Sequence, residues 1–284
     1  MSSNQSRRNF IKLTGLGLAA TSVKGFANPV TNRIFEKKLK LSEKLNLGLT
    51  SYTFRNFSLE QTIQMTKRLD LKRLSLKDMH LPLNSKKEDI KKAAAEIKEA
   101  GLEFYGAGVI YMTNKDEVSQ AFEYAKTAGI QIIIGVPEHE LLPLAEQKVK
   151  EYNIKLAIHN HGPTDKRFPS PQSVYEKIKN MDARMGMCLD IGHTMRLGID
   201  PSDAFENYHD RVFDIHMKDV TKASPDGSTI EIGRGVINIP KFLRTLLKYN
   251  YSATVAFEFE KDKEDPLPGV AESVGYVRGV LAVA

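Results

Sequence analysis

The chain has 284 residues, 41% hydrophobic and 27% charged, a balance that excludes a disordered or fibrous protein and suits one large α/β domain or two smaller ones. Its formal charge of +6 sits at the front: without residues 1–27 it loses Arg7, Arg8, Lys12 and Lys24, no acid, and falls to +2. No basic cluster interleaved with aromatics remains, which excludes nucleic acid as a partner, and the single cysteine, Cys188, excludes an internal disulfide.

The first element in chain order is a leader. SRRNFIK (Ser6–Lys12) is followed by the apolar run LTGLGLAATSV and by small residues placed for cleavage after Ala27. This order is that of a twin-arginine signal peptide and predicts export to the periplasm. The apolar run is too short for a permanent membrane span. Residues 28–44 read as a linker, and 45–284 as the folded domain.

From Lys44 onward short apolar strands alternate with amphipathic helices. The predicted strands are 46–54, 73–81, 102–111, 130–138, 155–162, 184–193, 212–220 and 253–260. Between them lie helical stretches such as SLEQTIQMTKRL, KEDIKKAAAEIKEAG and DEVSQAFEYAKTAG, the last two ending in a glycine suited to a left-handed terminus. Ser85 and Glu88 have capping-box spacing ahead of the second. Eight such units predict a single (β/α)₈ TIM barrel, because each parallel strand needs a crossover and eight close the sheet. The alternative is an open doubly wound sheet with a small second domain, weakened by the lack of G-x-G-x-x-G after the first strand. The longest connection, TKASPDGSTIEIGRGVINIP (221–240), is long enough for a lid or rim.

In such a barrel the active site lies at the carboxyl ends of the strands. Five of the seven histidines fall there: His80, His159, His161, His193 and His216, joined by Asp190, Glu258 and Glu260. His159 and His161 are two apart on one strand, so their imidazoles share a face. A lone histidine at a strand end is most simply a buried, hydrogen-bonded side chain. His159, Asp190, His216 and Glu258 come from four consecutive strands, and a shared divalent cation compensates their burial better than four separate partners. Mixed nitrogen and oxygen ligands suit manganese, zinc, cobalt or iron. Lys218 shares a strand face with His216 and is a candidate to pair with developing negative charge; a solvent-reaching lysine is the alternative. Tyr52 and Phe54 are candidates for an apolar wall against a sugar ring, with core packing the simpler reading for aromatics that end a first strand; His80, Glu138 and Lys77 lie near strand ends, and Arg234 lies on the long loop, where closing over the ligand and a plain surface turn are the two readings.

The motifs CLDIGH, IHMKDV, GRGVINIP and AFEFE resemble those of the xylose isomerase-like sugar isomerase/epimerase family, over most of residues 45–282. The resemblance implies a metal held by Asp190, His216 and Glu258, and a substrate-facing His193. It also implies a glutamate on strand five, where this chain has His159. Losing that carboxylate leaves Glu258 alone of the pair that would exchange protons on opposite faces of a sugar. A histidine-rich fifth strand is similar to inosose dehydratase-like members, which eliminate water beside a carbonyl.

The expectation is a metal-dependent isomerase or epimerase removing a proton α to the carbonyl of a non-phosphorylated sugar or keto-sugar. Glu258, His193, His161 and Lys218 are its catalytic candidates, and Tyr52, His80, Glu138 and Arg234 its substrate-binding candidates. A lyase acting on a keto-glycoside is the second reading, and a non-catalytic sugar-binding protein the third. The expected partner is a small-molecule carbohydrate, without stable membrane insertion; a homo-oligomer is compatible with the sequence.

Overall fold

A computed structural model describes residues 45–284; the leader and linker read from residues 1–44 lie outside the described residues. The apolar runs form β1 (Asn46–Thr50), β2 (Arg73–Leu76), β3 (Glu103–Met112), β4 (Ile132–Pro137), β5 (Lys155–His159), β6 (Met185–Asp190) and β7 (Val212–Met217). A small hairpin of β8 (Asp219–Val220) and β9 (Thr229–Ile230) precedes the last barrel strand, β10 (Thr254–Phe257). The barrel strands are all parallel and close in the order β1-β10-β7-β6-β5-β4-β3-β2, giving the (β/α)₈ barrel.

Around it run α1 (Leu59–Arg68), α2 (Lys87–Glu99), α3 (Lys115–Ala128), α4 (Leu142–Tyr152), α5 (Pro171–Ile178), α6 (Ile191–Met195), α7 (Pro201–Tyr208), α8 (Ile239–Lys248) and α9 (Leu267–Val283). Their starts follow local chemistry. In a capping box at α1, Gln61 N–H donates to Ser58 Oγ at 3.2 Å and Ser58 N–H donates to Gln61 Oε1 at 2.9 Å. α3 ends at Gly129 with φ 75°. The box expected at Ser85 and Glu88 does not form: Ser85 N–H donates to Pro82 O at 3.0 Å in the preceding turn, and α2 starts after Lys86 with no side-chain cap.

Several strands are shorter than their apolar patterns predict. Residues Ser51–Phe54 curl into a 3₁₀ turn, and Ile191–Met195 form α6 instead of continuing β6. The cause in β6 is Asp190: its side chain accepts from His193 N–H at 2.8 Å and caps the helix. His193 is therefore helical, one turn above the strand end. His80 likewise lies beyond β2, in a turn whose N–H donates to Lys77 O at 3.0 Å.

Apolar side chains pack between strands and helices, and a smaller cluster fills the barrel itself, with Tyr105, Ile132, Ile134, Ala157, Cys188 and Ala256. Cys188 is fully buried in it, and burial pushes its thiol pKa well up, so it is a packing residue.

Candidate active site

β5, β6, β7 and β10 are neighbours, and their carboxyl ends converge. In register, His159 faces Cys188, Asp190 faces His216, and His216 faces Ala256, two residues before Glu258. Each two-residue stagger compensates strand tilt, so the four side chains arrive at one height. One donor atom from each of His159, Asp190, His216 and Glu258 lies within 4.8 Å of the others, and all four residues are buried.

The close pairs define the cluster. His159 Nε2 is 3.3 Å from Asp190 Oδ2, and His216 Nδ1 is 3.3 Å from Glu258 Oε2. Neither pair is aligned as a hydrogen bond: among the described residues, His159 Nδ1 and Nε2 and His216 Nδ1 are buried atoms without a hydrogen-bond partner, and Asp190 Oδ2 has only the Lys218 ammonium, 3.0 Å away, to offset its charge. Each such atom costs about 1–3 kcal/mol unless something compensates it. A divalent cation does so, and two imidazoles with two carboxylates form a donor set for manganese, zinc, cobalt or iron. The residues therefore fit a metal.

The electrostatics separate the groups. Burial lowers the His159 pKa to about 4 against the pull of Asp190, and lowers that of His193 to about 3; both rings stay neutral, as ligation or hydrogen bonding requires. Burial also opposes charge on His216, but Glu258 outweighs it and the pKa rises. Burial opposes ionisation of Asp190, yet the Lys218 ammonium beside it holds its carboxyl well below the usual range; Lys218 and His216 do the same for Glu258.

Above the cluster a cavity of about 280 Å³ opens at the strand ends. Tyr52, Lys77, His159, His161, His193 and Glu258 line it, with Val109, Tyr111 and Glu260. Two larger cavities, about 440 Å³ at the opposite barrel mouth and about 690 Å³ beside the start of α9, contain none of the cluster. The His159 and His161 rings stand 5.1 Å apart, and His161 and His193 5.0 Å, so three imidazoles tile one wall. Tyr111 Oη is 2.9 Å from His161 Nδ1, with Asp165 at 3.6 Å.

Three residues expected at the substrate sit elsewhere. His80 is buried between Ser51 Oγ (3.0 Å), Thr62 Oγ1 (3.0 Å) and the carbonyls of Phe54 and Phe57, and does not reach the cavity. Arg167 claims Glu138, its Nε donating at 2.5 Å. Arg234 forks onto Glu272 of α9, Nη2 donating at 2.7 Å, and points away from the cavity. A strand-end or loop position brings a side chain near a barrel mouth; a better local partner turned each of these aside. Phe54 is fully buried core, the simpler of its two readings, whereas Tyr52 lines the cavity.

Other contributors carried no assigned role in the sequence. Asn160, on the opposite face from its flanking histidines, accepts from Asp190 N–H at 2.9 Å and donates to Thr194 Oγ1 at 3.2 Å, tying β5 to the start of α6. Asp214 Oδ2 lies 3.7 Å from His216 Nε2, beneath the ring. Burial pushes the Asp214 pKa up to about 7. The only sequence signal for Asp214 is alternation, which sets it on the His216 face.

Residues 53–280 match the sequence model of the family described as the xylose isomerase-like TIM barrel. No curated protein matches the chain significantly in sequence. Among solved structures, the IOLI protein with a bound zinc atom is similar with a TM-score of 0.71 at 16% identity, over 84% of this chain and 99% of that one. The apo form of 3-keto-D-glucoside 4-epimerase from E. coli follows at 0.67 and 15%, over 83% and 99%. A probable 3-DHS dehydratase from Bacillus anthracis gives 0.65 and 14%, over 82% and 98%. At these identities the likeness establishes the fold.

Proposed function

Since this chain belongs to the xylose isomerase-like TIM barrel family, we propose that it is a divalent-metal-dependent enzyme that removes the proton α to the carbonyl of a non-phosphorylated sugar or keto-sugar and returns it to carbon, as an isomerase or epimerase. One observation carries the reading: the donor atoms of His159, Asp190, His216 and Glu258 lie within 4.8 Å of one another beneath a sugar-sized cavity. These four residues would hold the metal, which when bound supplies a Lewis acid for the carbonyl and its neighbouring oxygen. Glu258, ionised and lining the cavity, is the base for the α proton. His161, linked through Tyr111 and Asp165 to the rim, moves a proton on the other side of the ring. His193 stays neutral and orients a substrate hydroxyl. About 280 Å³ is at the lower end of ligand cavities and suits one sugar ring rather than a longer chain. On the reading of residues 1–27 as a twin-arginine leader, the enzyme works in the periplasm, where free sugars rather than sugar phosphates are met.

A second reading keeps the site and the first proton transfer but ends in elimination from a keto-glycoside. The observation favouring it is the β5 side of the cavity, where His159 stands in place of the glutamate that the resemblance implies and where His161, which is no metal ligand in this reading, can protonate a leaving oxygen.

The test is incubation of the zinc- or manganese-loaded protein with keto-sugars and keto-glycosides in D₂O. Solvent deuterium in the sugar, with the glycoside intact, is the expected outcome; a released aglycone selects elimination. Absence of exchange with every substrate and either metal overturns both. Glu258→Gln is expected to lower exchange by about 10²–10⁴-fold, whereas Arg234→Ala, which only loses its partner Glu272, leaves it nearly unchanged.

A further inference from the structure

Among the described residues Lys218 is the only buried lysine, and it lies inside the carboxylate cluster. Its Nζ is 3.0 Å from Asp190 Oδ2 and 2.6 Å from Glu258 Oε2, and it touches Glu260 Oε1. The remaining oxygens of the first two carboxylates are engaged. Asp190 Oδ1 accepts from His193 N–H at 2.8 Å, and Glu258 Oε1 accepts from the Thr50 hydroxyl at 3.3 Å. The oxygens left for a metal are therefore the two that face the ammonium.

We propose that Lys218 and the metal are rivals for Asp190 Oδ2 and Glu258 Oε2, and that loading the metal turns the ammonium off both oxygens onto Glu260, at the edge of the sugar cavity. The inference rests on the metal-site reading above. Two cations drawn to the same pair of oxygens, where little water screens them, repel. The Lys218 stem packs over Gly192, where a Cβ would meet its Cδ at 2.7 Å. The movement needs only the end beyond Cδ, because the ammonium sits on a flexible stem and its donors rotate. Glu260 is one third exposed, lines the cavity and already touches Nζ, so it receives the charge without rebuilding the strand. Metal loading thus delivers a positive group to the substrate side of the site.

The measurement is zinc affinity by competition with a chelating dye, on the wild type, Lys218→Met, Glu260→Gln and the double variant. Lys218→Met is expected to bind zinc about 10–100-fold more tightly, the range over which outer partners tune metal sites. Glu260→Gln is expected to weaken binding severalfold when Lys218 is present and to have no effect in the Met background. Unchanged or weaker binding by Lys218→Met, with a wild type that binds, overturns the rivalry alone; a wild type and variants that all fail to bind overturn the metal site with it. Thermal unfolding gives a second readout: Lys218→Met melts lower without zinc and gains more from it than the wild type, and an equal gain overturns the proposal. Should that variant need zinc to fold, Glu260→Gln decides, and unchanged affinity there is the overturning result.

Discussion

His80 and His159 are both buried imidazoles near strand ends, and their surroundings separate them. His80 has hydroxyl and carbonyl partners for both ring nitrogens; those of His159 have none. With two carbonyls near Nε2, His80 is neutral with the proton on that nitrogen, and Ser51 donates to Nδ1. Burial holds its pKa below the usual imidazole value. The unfolded imidazole titrates near 6.5, so as pH falls the unfolded chain takes the proton first. The stability contributed by neutral His80 is complete above about pH 6.5 and lost as pH falls through the folded pKa. Urea denaturation between pH 7 and 5 should show a shallower loss in His80→Gln than in the wild type; equal slopes would remove His80 as a source. Sequence placed both histidines, but their partners come from segments such as Phe54–Phe57, which adjacency along the chain does not reveal.

Among the elements, the long connection before α8, a lid or a rim by its length, is built as a pinned rim. Asp219, fully buried, accepts from Val220 N–H at 2.9 Å, Gly233 N–H at 3.0 Å, and Gly235 and Ile237 N–H at 3.1 Å each. One carboxylate thus gathers the loop beneath the GRG turn, and Arg234 fastens the outside to α9. Asp219→Asn turns an amide donor toward N–H groups, and the loss expected in chemical denaturation is about 2–3 kcal/mol. Zinc affinity should stay within twofold or so, since Asp219 is no ligand in this reading; a larger change would tie the rim to the metal. The periodicity of GRGVINIP carries no hint of this, because charge-assisted bonds to backbone amides leave no side-chain pattern. The overrun of β6 has the same origin: a capping aspartate ends the strand where hydrophobicity alone would continue it.

For the whole molecule, burying unpartnered imidazoles at the top of a closed barrel makes stability depend on what the site holds. A ligand that binds only the folded state stabilises by mass action, about 2.7 kcal/mol at a hundredfold excess over Kd. Zinc or manganese should therefore raise the melting temperature by several degrees, a chelator should reverse it, and His159→Ala should remove most of the gain. A melting temperature that no metal moves would discard the ion. Among the described residues no helix is long and apolar enough to cross a membrane.

The sequence by itself determined the eight alternating units, and with them the barrel, because strand and helix periodicities are local properties of side chains two to four residues apart. It also brought His159, Asp190, His216 and Glu258 to consecutive strand ends. The tertiary structure alone decided that their tips meet, that Lys218 sits among their oxygens, and that His80, Glu138 and Arg234 turn to other partners. Those outcomes are contacts between residues up to some two hundred positions apart, such as Thr50 with Glu258, and barrel closure sets their distances.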